Sequence, residues 1–297
     1  VGRVNLSATT VAILGAGAMG EAVLAGALRS GVAPEHLTAT ARRPERAQHL
    51  AERFGVPTTA DNAAAAAGAD VVVLAVKPKD MAGLVAAVGP ALRPGAVVVS
   101  VAAGLSTAWF EERLPAGTAV VRVMPNTPSA IGAGASAVSG GAAATPEQLD
   151  LVEAVLRGAG VVVRVAEKDQ DAAGAVSGSG PAYVFYVVDA MTEAGVLVGL
   201  QRDLARRLAV QTVLGAAQLL DQTGEHPVIL RERVTSPGGT TAAALRALDD
   251  GGVRAAFADA IEAARDRSRE LAAELSRSGA PAAAPVSAGV PAAPERG

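Results

Sequence analysis

The 297-residue chain contains no cysteine, so disulfides and thiolate metal sites are excluded. Histidine is scarce too: His36, His49 and His226 are the whole set, they do not fall in a ligand-spaced cluster, and no metal site is expected. Aromatic residues make up only 2% of a chain that is 50% hydrophobic, which leaves packing to Ala, Val and Leu and calls for close helix contacts. A surplus of positive charge is also missing. With a formal net charge of -3 and no run of Lys or Arg, the chain offers no field for nucleic acid. The longest apolar stretch, Pro181 to Leu200, is interrupted by Asp189 and Glu193 and reads as a buried helix, not a membrane span. The first residues lack a basic segment followed by an apolar core and a small-residue cleavage site, which reads as cytoplasmic.

What is present starts with Val11-Ala-Ile-Leu-Gly-Ala-Gly-Ala-Met-Gly20. Val11, Ile13 and Leu14 suit a buried strand, and Ala22, Val23, Leu24 and Leu28 follow at helical spacing. Between them, Gly15, Gly17 and Gly20 fit the dinucleotide fingerprint: a tight turn, close backbone approach to a pyrophosphate, and close packing of helix on strand. Glycines at this spacing also occur in plain turns; the strand before and the helix after favour the cofactor reading.

From Val11 to about Val165, short Val-rich runs alternate with Ala-rich helical segments, the pattern of a parallel sheet covered on both faces. The runs are Val11–Leu14, Leu37–Ala41, Val71–Val76, Ala96–Val101, Ala119–Met124, Gly134–Val138 and Val161–Val165. Beyond them, Lys168–Leu275 reads as helices broken at Ser177-Gly-Ser-Gly-Pro181, Gly224–Pro227, Ser236–Thr240 and Gly251-Gly252. The expected fold is therefore α/β: a Rossmann-type dinucleotide-binding domain over residues 9–165, then an all-α domain over 166–275. The helix from Pro181 is apolar around most of its circumference, which a small monomeric bundle does not bury, so a second subunit is expected against it. Residues 276–297, rich in Ala, Pro, Gly and Ser, are expected to be a disordered tail.

Several strand ends carry candidate chemistry. Where NAD-preferring Rossmann proteins place an acid, this chain has Thr40-Ala41-Arg42-Arg43-Pro44, so Arg42 and Arg43 offer charge to a 2'-phosphate and NADP is favoured over NAD. Two solvated arginines at a strand end are the plain alternative. Ala75-Val76-Lys77-Pro78, Val101-Ala102-Ala103-Gly104 and Met124-Pro-Asn126-Thr-Pro128 end three further runs, and three such ends at one rim make a pocket. In the helical half, Ser177, Gly178, Ser179 and Gly180 precede one helix, and Gly239, Thr240 and Thr241 precede another, where hydroxyls beside free N–H groups suit a small carboxylate. Each loop alone could be a helix cap. Oxidising an alcohol needs a positioned base, and Lys77, Lys79, Lys168 and the histidines are read as lying outside the helical-domain loops. Reducing a C=N bond can proceed from a protonated imine with no such base.

In their order, the glycine fingerprint, Ala-Val-Lys-Pro, Val-Ala-Ala-Gly, Met-Pro-Asn-Thr-Pro, Val-Ser-Gly-Ser-Gly-Pro-Ala-Tyr, Gly-Glu-His-Pro and Thr-Ser-Pro-Gly-Gly-Thr-Thr resemble the pyrroline-5-carboxylate reductase family over about Val11 to Leu275. The resemblance implies NAD(P)H-dependent reduction of 1-pyrroline-5-carboxylate to proline, by a homodimer with interleaved helical domains that is often built into a larger ring such as a decamer. NADPH is the expected cofactor, with NADH as its alternative. Carried over by position, Leu14, Gly15, Ala16, Gly17, Ala18, Met19, Arg43, Asn62, Ala75, Val76, Lys77, Pro78, Val101, Ala102 and Ala103 would line the cofactor site, to which the fingerprint and strand-end readings add Gly20, Arg42 and Asn126. Glu167, Ser177, Gly178, Ser179, Gly180, Gly239, Thr240 and Thr241 would surround the substrate, with Thr241 as the catalytic partner of the ring nitrogen. Arg233 stands where some relatives have a cofactor-holding Asn, and Arg43 replaces a small hydroxyl residue. The competing readings are a β-hydroxyacid dehydrogenase, whose catalytic Lys has no counterpart here, and a non-catalytic NADP-binding sensor, which has no use for a Thr-rich anion loop.

Overall fold

A computed structural model describes residues 6–278. Eight strands form one sheet: β1 (Val11–Leu14), β2 (Leu37–Thr40), β3 (Thr58–Thr59), β4 (Val71–Leu74), β5 (Val97–Ser100), β6 (Ala119–Met124), β7 (Gly134–Gly140) and β8 (Gly160–Arg164). Twelve helices accompany them. Six belong to the sheet: α1 (Ala18–Arg29), α2 (Pro44–Phe54), α3 (Asn62–Ala67), α4 (Pro78–Val88), α5 (Thr107–Glu111) and α6 (Pro146–Leu156). Six follow it: α7 (Gln170–Ala173), α8 (Gly180–Leu197), α9 (Arg202–Thr223), α10 (Pro227–Arg233), α11 (Thr240–Asp250) and α12 (Val253–Ser278).

The sheet order is β3-β2-β1-β4-β5-β6-β7-β8. Because the order reverses between β1 and β4, the crevice beyond their carboxyl ends is the switch point at which open α/β sheets bind ligands. Alternation along the strands builds two cores. Val11, Ile13, Val71, Val73, Val97, Val99 and Val121 face one with Val23 and Leu24 of α1, while Ala12, Leu14, Val72, Leu74, Val98 and Val120 face the other with Met81, Leu84 and Phe110. The few aromatics matter locally: Trp109 meets Phe110 edge to face at 4.9 Å, and Arg113 lies over the Trp109 ring.

The sheet departs from the expected all-parallel arrangement at one pair, because β7 runs antiparallel to β6. A parallel neighbour needs a crossover of a dozen or more residues; the connection here, 125–133, holds only a short 3-10 turn, Thr127–Ile131. β3 and α3 are additions to the expected elements. After β8 no strand follows among the described residues, and α12 continues to Ser278, three residues into the expected tail. The rest of that tail, 279–297, lies outside the described residues.

Candidate active site

The glycine loop lies at the carboxyl end of β1, and its three glycines do three different things. Gly15 has φ +86, and a side chain there would run into Val76 Cγ1. A Cβ on Gly17 would meet nothing within 4 Å, so the backbone there is open to an approaching group. A Cβ on Gly20 would lie 2.8 Å from the Gly15 carbonyl oxygen and 3.2 Å from Ala75 Cβ, which ties this glycine to packing of α1 against the strands. No side chain caps α1 at Gly17. An uncapped helix start beside open backbone is the geometry that receives phosphates.

Two residues that sequence reasoning passed over hold this loop. Thr40 accepts from the Gly15 N–H through its Oγ1 (2.9 Å) and donates to Asn62 Oδ1 (2.6 Å), so Asn62 reaches the cradle through Thr40. Arg46 donates from Nε to the Ala16 carbonyl (2.8 Å) and from Nη2 to that of Gly17 (3.3 Å), and pairs with Glu21 in the first turn of α1. Arg53 pairs with the same carboxylate at 2.6 Å. The two cations offset an acid that would otherwise oppose a phosphate at that helix end. Arg42 and Arg43 stand apart from this brace: Arg42 is 90% exposed with only a 3.9 Å approach to Asp80, and Arg43 is exposed at the start of α2. Both side chains face solvent beyond the end of β2.

The remaining rim converges on the same crevice. Ala75 N–H donates to the Leu14 carbonyl at 2.8 Å, Lys77 is exposed at the start of α4, and Pro78 opens that helix. Val101 N–H donates to the Leu74 carbonyl, Val101 and Ala102 are buried, and Ala103 is exposed. Gly104, at φ +80, is overlain by α12, with Leu275 Cδ1 3.1 Å from where its Cβ would be. Asn126 is buried at the end of β6. Its Nδ2 donates to the Ser177 carbonyl (3.0 Å) and its Oδ1 accepts from the Ala135 N–H (2.9 Å).

The expected helix break at Ser177-Gly-Ser-Gly is instead a π-helical stretch, Gly174–Gly178, between α7 and α8. Ser179 N–H reaches back to the Gly174 carbonyl (3.0 Å), and the Ser177 hydroxyl donates to Ala173, so the segment is a widened helix. Its glycines let it lie on Met124: a Cβ on Gly178 would come within 2.8 Å of Met124 Cε.

Glu167 is drawn into a half-buried network. Its Oε1 accepts from Arg122 Nη1 (3.1 Å) and from the Thr107 N–H (3.2 Å), while Oε2 has no hydrogen-bond partner among the described residues. Arg122 also reaches Asp171 (3.3 Å), which accepts from Ser268 of α12. Buried Gln170 donates to Ser139 at 2.9 Å. The network ties β6, β7, α7 and α12 together beside the rim.

Gly238 adopts φ +68 and Gly239 leads into α11 with no side-chain cap. Among the described residues, the Thr240 and Thr241 hydroxyls have no partner within the chain, and α11 rests mainly on α12. The loop is therefore not brought against the rim of its own chain by any contact described. His226 corrects the expectation that no histidine lies in a helical-domain loop: it occupies the turn between α9 and α10, where Nδ1 accepts from the Val228 N–H at 3.3 Å and caps α10. That lone pair is engaged. Arg233 pairs with Glu225 at 2.8 Å.

No helix among the described residues is long and apolar enough to cross a membrane, and no group of three His, Asp or Glu side chains suits a metal ion. The helical half leaves large apolar side chains bare, including Phe185 (66% exposed), Tyr186 (77%) and Leu197 (87%). α8 is thus mostly exposed in the single chain, as expected of a helix that its own bundle does not bury.

Comparison with known proteins agrees with this layout. Residues 167–271 match the model for pyrroline-5-carboxylate reductase dimerisation, and residues 10–104 match that for NADP oxidoreductase, coenzyme F420-dependent. Pyrroline-5-carboxylate reductase of Corynebacterium melassecola is 46% identical over 89% of this chain and 98% of its own length; that of Mycobacterium tuberculosis is 44% identical over 88% and 96%. The solved reductase of Coxiella burnetii superposes with a TM-score of 0.86 at 38% identity, covering 90% of this chain and 99% of its own. The Plasmodium falciparum enzyme, solved with NADP bound, superposes at 0.80 with 27% identity, covering 90% and 100%. On these similarities, and on the sheet-edge cradle joined to a helical arm, the chain belongs to the pyrroline-5-carboxylate reductase family.

Proposed function

We propose that the protein reduces 1-pyrroline-5-carboxylate to L-proline with NADPH, in a site where the sheet of one chain is completed by the helical arm of a second. The observation that carries this reading is the start of α11: an uncapped helix end with two threonine hydroxyls that have no partner among the described residues. An anion satisfies such a group, and the substrate carries a carboxylate.

The cofactor half fits NADP by its own geometry. Open backbone at Gly17 and the uncapped start of α1 receive the pyrophosphate; Leu14 to Gly20 form the cradle, and Thr40 with Asn62 keeps it in shape. Arg42 and Arg43 meet the 2'-phosphate, while Ala75 to Pro78 and Val101 to Ala103 border the nicotinamide end. Once bound, the cofactor supplies hydride to the carbon of the C=N bond. Gly239, Thr240 and Thr241 hold the carboxylate and ring, with the Thr241 hydroxyl toward the nitrogen; Ser177 to Gly180 and Glu167 close the other side. Orientation is the protein's main contribution, since a protonated imine needs no base to draw a proton from it.

We take the domains as 9–165 and 166–275, the protein as a cytoplasmic homodimer, and a decamer as its larger assembly, which a native mass measurement decides. The direct test is NADPH consumption with 1-pyrroline-5-carboxylate. Thr241→Ala should lower kcat/KM for the imine by about 10- to 100-fold with NADPH affinity unchanged, the loss associated with a hydrogen bond to a charged group. Absence of turnover by folded wild-type protein would favour a sensor; turnover of a hydroxy acid alone would favour the dehydrogenase reading.

A further inference from the structure

We infer that Asn126 is a positioning residue that sets the distance between the cofactor rim and the substrate-side turn Ser177–Gly180, and is not itself a cofactor ligand. The inference rests on the functional reading above, in which that turn borders the substrate. Asn126 is 8% exposed, and each end of its amide has a partner inside the protein. The nitrogen donates to the Ser177 carbonyl, and the oxygen accepts from the Ala135 N–H at the start of β7. One short side chain thus joins the end of β6, the start of β7 and the π-helical turn.

The turn has a second anchor on the same strand end. Gly174 and Gly178 lie over Met124, and a methyl group at Gly178 would come within 2.8 Å of Met124 Cε, so the turn seats by contact on one side and by the Asn126 hydrogen bond on the other. The residue four positions beyond Ser177 is Pro181, which has no N–H to give, so the Ser177 carbonyl lacks its helical donor and is available to a side chain outside the helix. Reaction geometry tolerates little displacement: moving a positioning element by about 1 Å is enough to cost roughly 100-fold in rate.

The test compares three full-length variants with wild type. Asn126→Asp keeps an acceptor for the Ala135 N–H but sets oxygen against the Ser177 carbonyl; Asn126→Ala leaves both backbone groups unpaired; Gly178→Ala displaces the same turn from the Met124 side. The expected result for Asn126→Asp is a fall of about 10- to 100-fold in kcat/KM for 1-pyrroline-5-carboxylate, with KM raised and the NADPH Kd, read by fluorescence titration without substrate, within about twofold of wild type. Gly178→Ala should show the same split. A parallel rise in NADPH Kd would make Asn126 a cofactor ligand and overturn the inference. So would an Asn126→Asp enzyme with wild-type kcat/KM, since only the β7 contact would then matter. Failure of wild-type enzyme to turn over the imine sinks the functional reading, and this inference with it; normal wild-type turnover with unaffected variants sinks the inference alone.

Discussion

The two halves of the molecule treat their apolar residues in opposite ways. In the sheet half, strand alternation sends every second Val to one of two closed cores, and side chains such as Ile13, Leu14, Leu74 and Phe110 are wholly buried. In the helical half, buried apolar side chains are few and small, such as Ala175, Ala205 and Ala209, while Tyr186, Leu197, Leu208 and Leu214 face outward. The first half closes its own cores; the second, which matches a dimerisation region, leaves apolar surface for another chain. The same division applies to chemistry. Thr40, by accepting from the Gly15 N–H, and Arg46, by donating to the Ala16 carbonyl, brace the cofactor loop from within, whereas the Thr240 and Thr241 hydroxyls have no partner among the described residues.

The largest blow to this comparison comes from placing charge on the helical arm. Phe185→Asp should abolish dimers in a sedimentation experiment and lower activity by more than about 100-fold, because an unpaired charge in an interface costs several kcal/mol. NADPH binding by the sheet half should survive. Next in size, Gly15→Ala combines a positive φ with a collision at Val76, and should weaken NADPH at least about tenfold in titration while leaving the dimer intact. A finer contrast separates the loop brace from the phosphate reader. Arg46→Ala should raise KM for NADPH and NADH alike, by about tenfold, whereas Arg43→Ala should raise it for NADPH alone. Equal effects of both variants on both cofactors would merge the two roles. The smallest effect concerns Glu193 in α8, whose carboxyl is held below its ordinary value by the hydrogen bond from Arg202. A depressed pKa stabilises the folded state above the unfolded pKa and loses that contribution as pH falls through the folded one. Glu193→Gln should therefore shift Tm only slightly at neutral pH and not at all in acid, as exposed pairs contribute little.

Much of the cofactor half was legible in the chain because its signals are local. Strand, glycines and helix follow one another within Val11–Arg29, and the valine runs mark four of the eight strands by composition alone. What escaped detection depended on distance or on weak pattern. β3 is two residues long, too short to show a period, and α3 is almost pure alanine, with Asp61 as its only marker through bonds to the Ala63 and Ala64 N–H groups. The reversal of β7 follows from the short connection after β6, which holds only the 3-10 turn Thr127–Ile131 and has no valine run or helix period to announce it. Arg46 acts on carbonyls about 30 positions away, and nothing beside it in sequence announces that. The π-helical turn was hidden for a different reason: Gly and Ser ordinarily weaken a helix, yet here Ser179, Asn126 and Met124 hold those residues in a widened one. The threonine loop was legible as a helix start with hydroxyls, but a single sequence does not say whose rim it serves.

Mixing two damaged chains answers that last point. Gly15→Ala spoils the cradle and Thr241→Ala spoils the clamp, so a hybrid dimer with sites shared between chains contains one wholly intact site. Unfolding and refolding an equal mixture should then restore about one quarter of wild-type activity, from one working site in the half of dimers that are hybrid. If each chain instead builds its site alone, every site keeps one defect, and activity in the mixture would stay at the level of the separate variants.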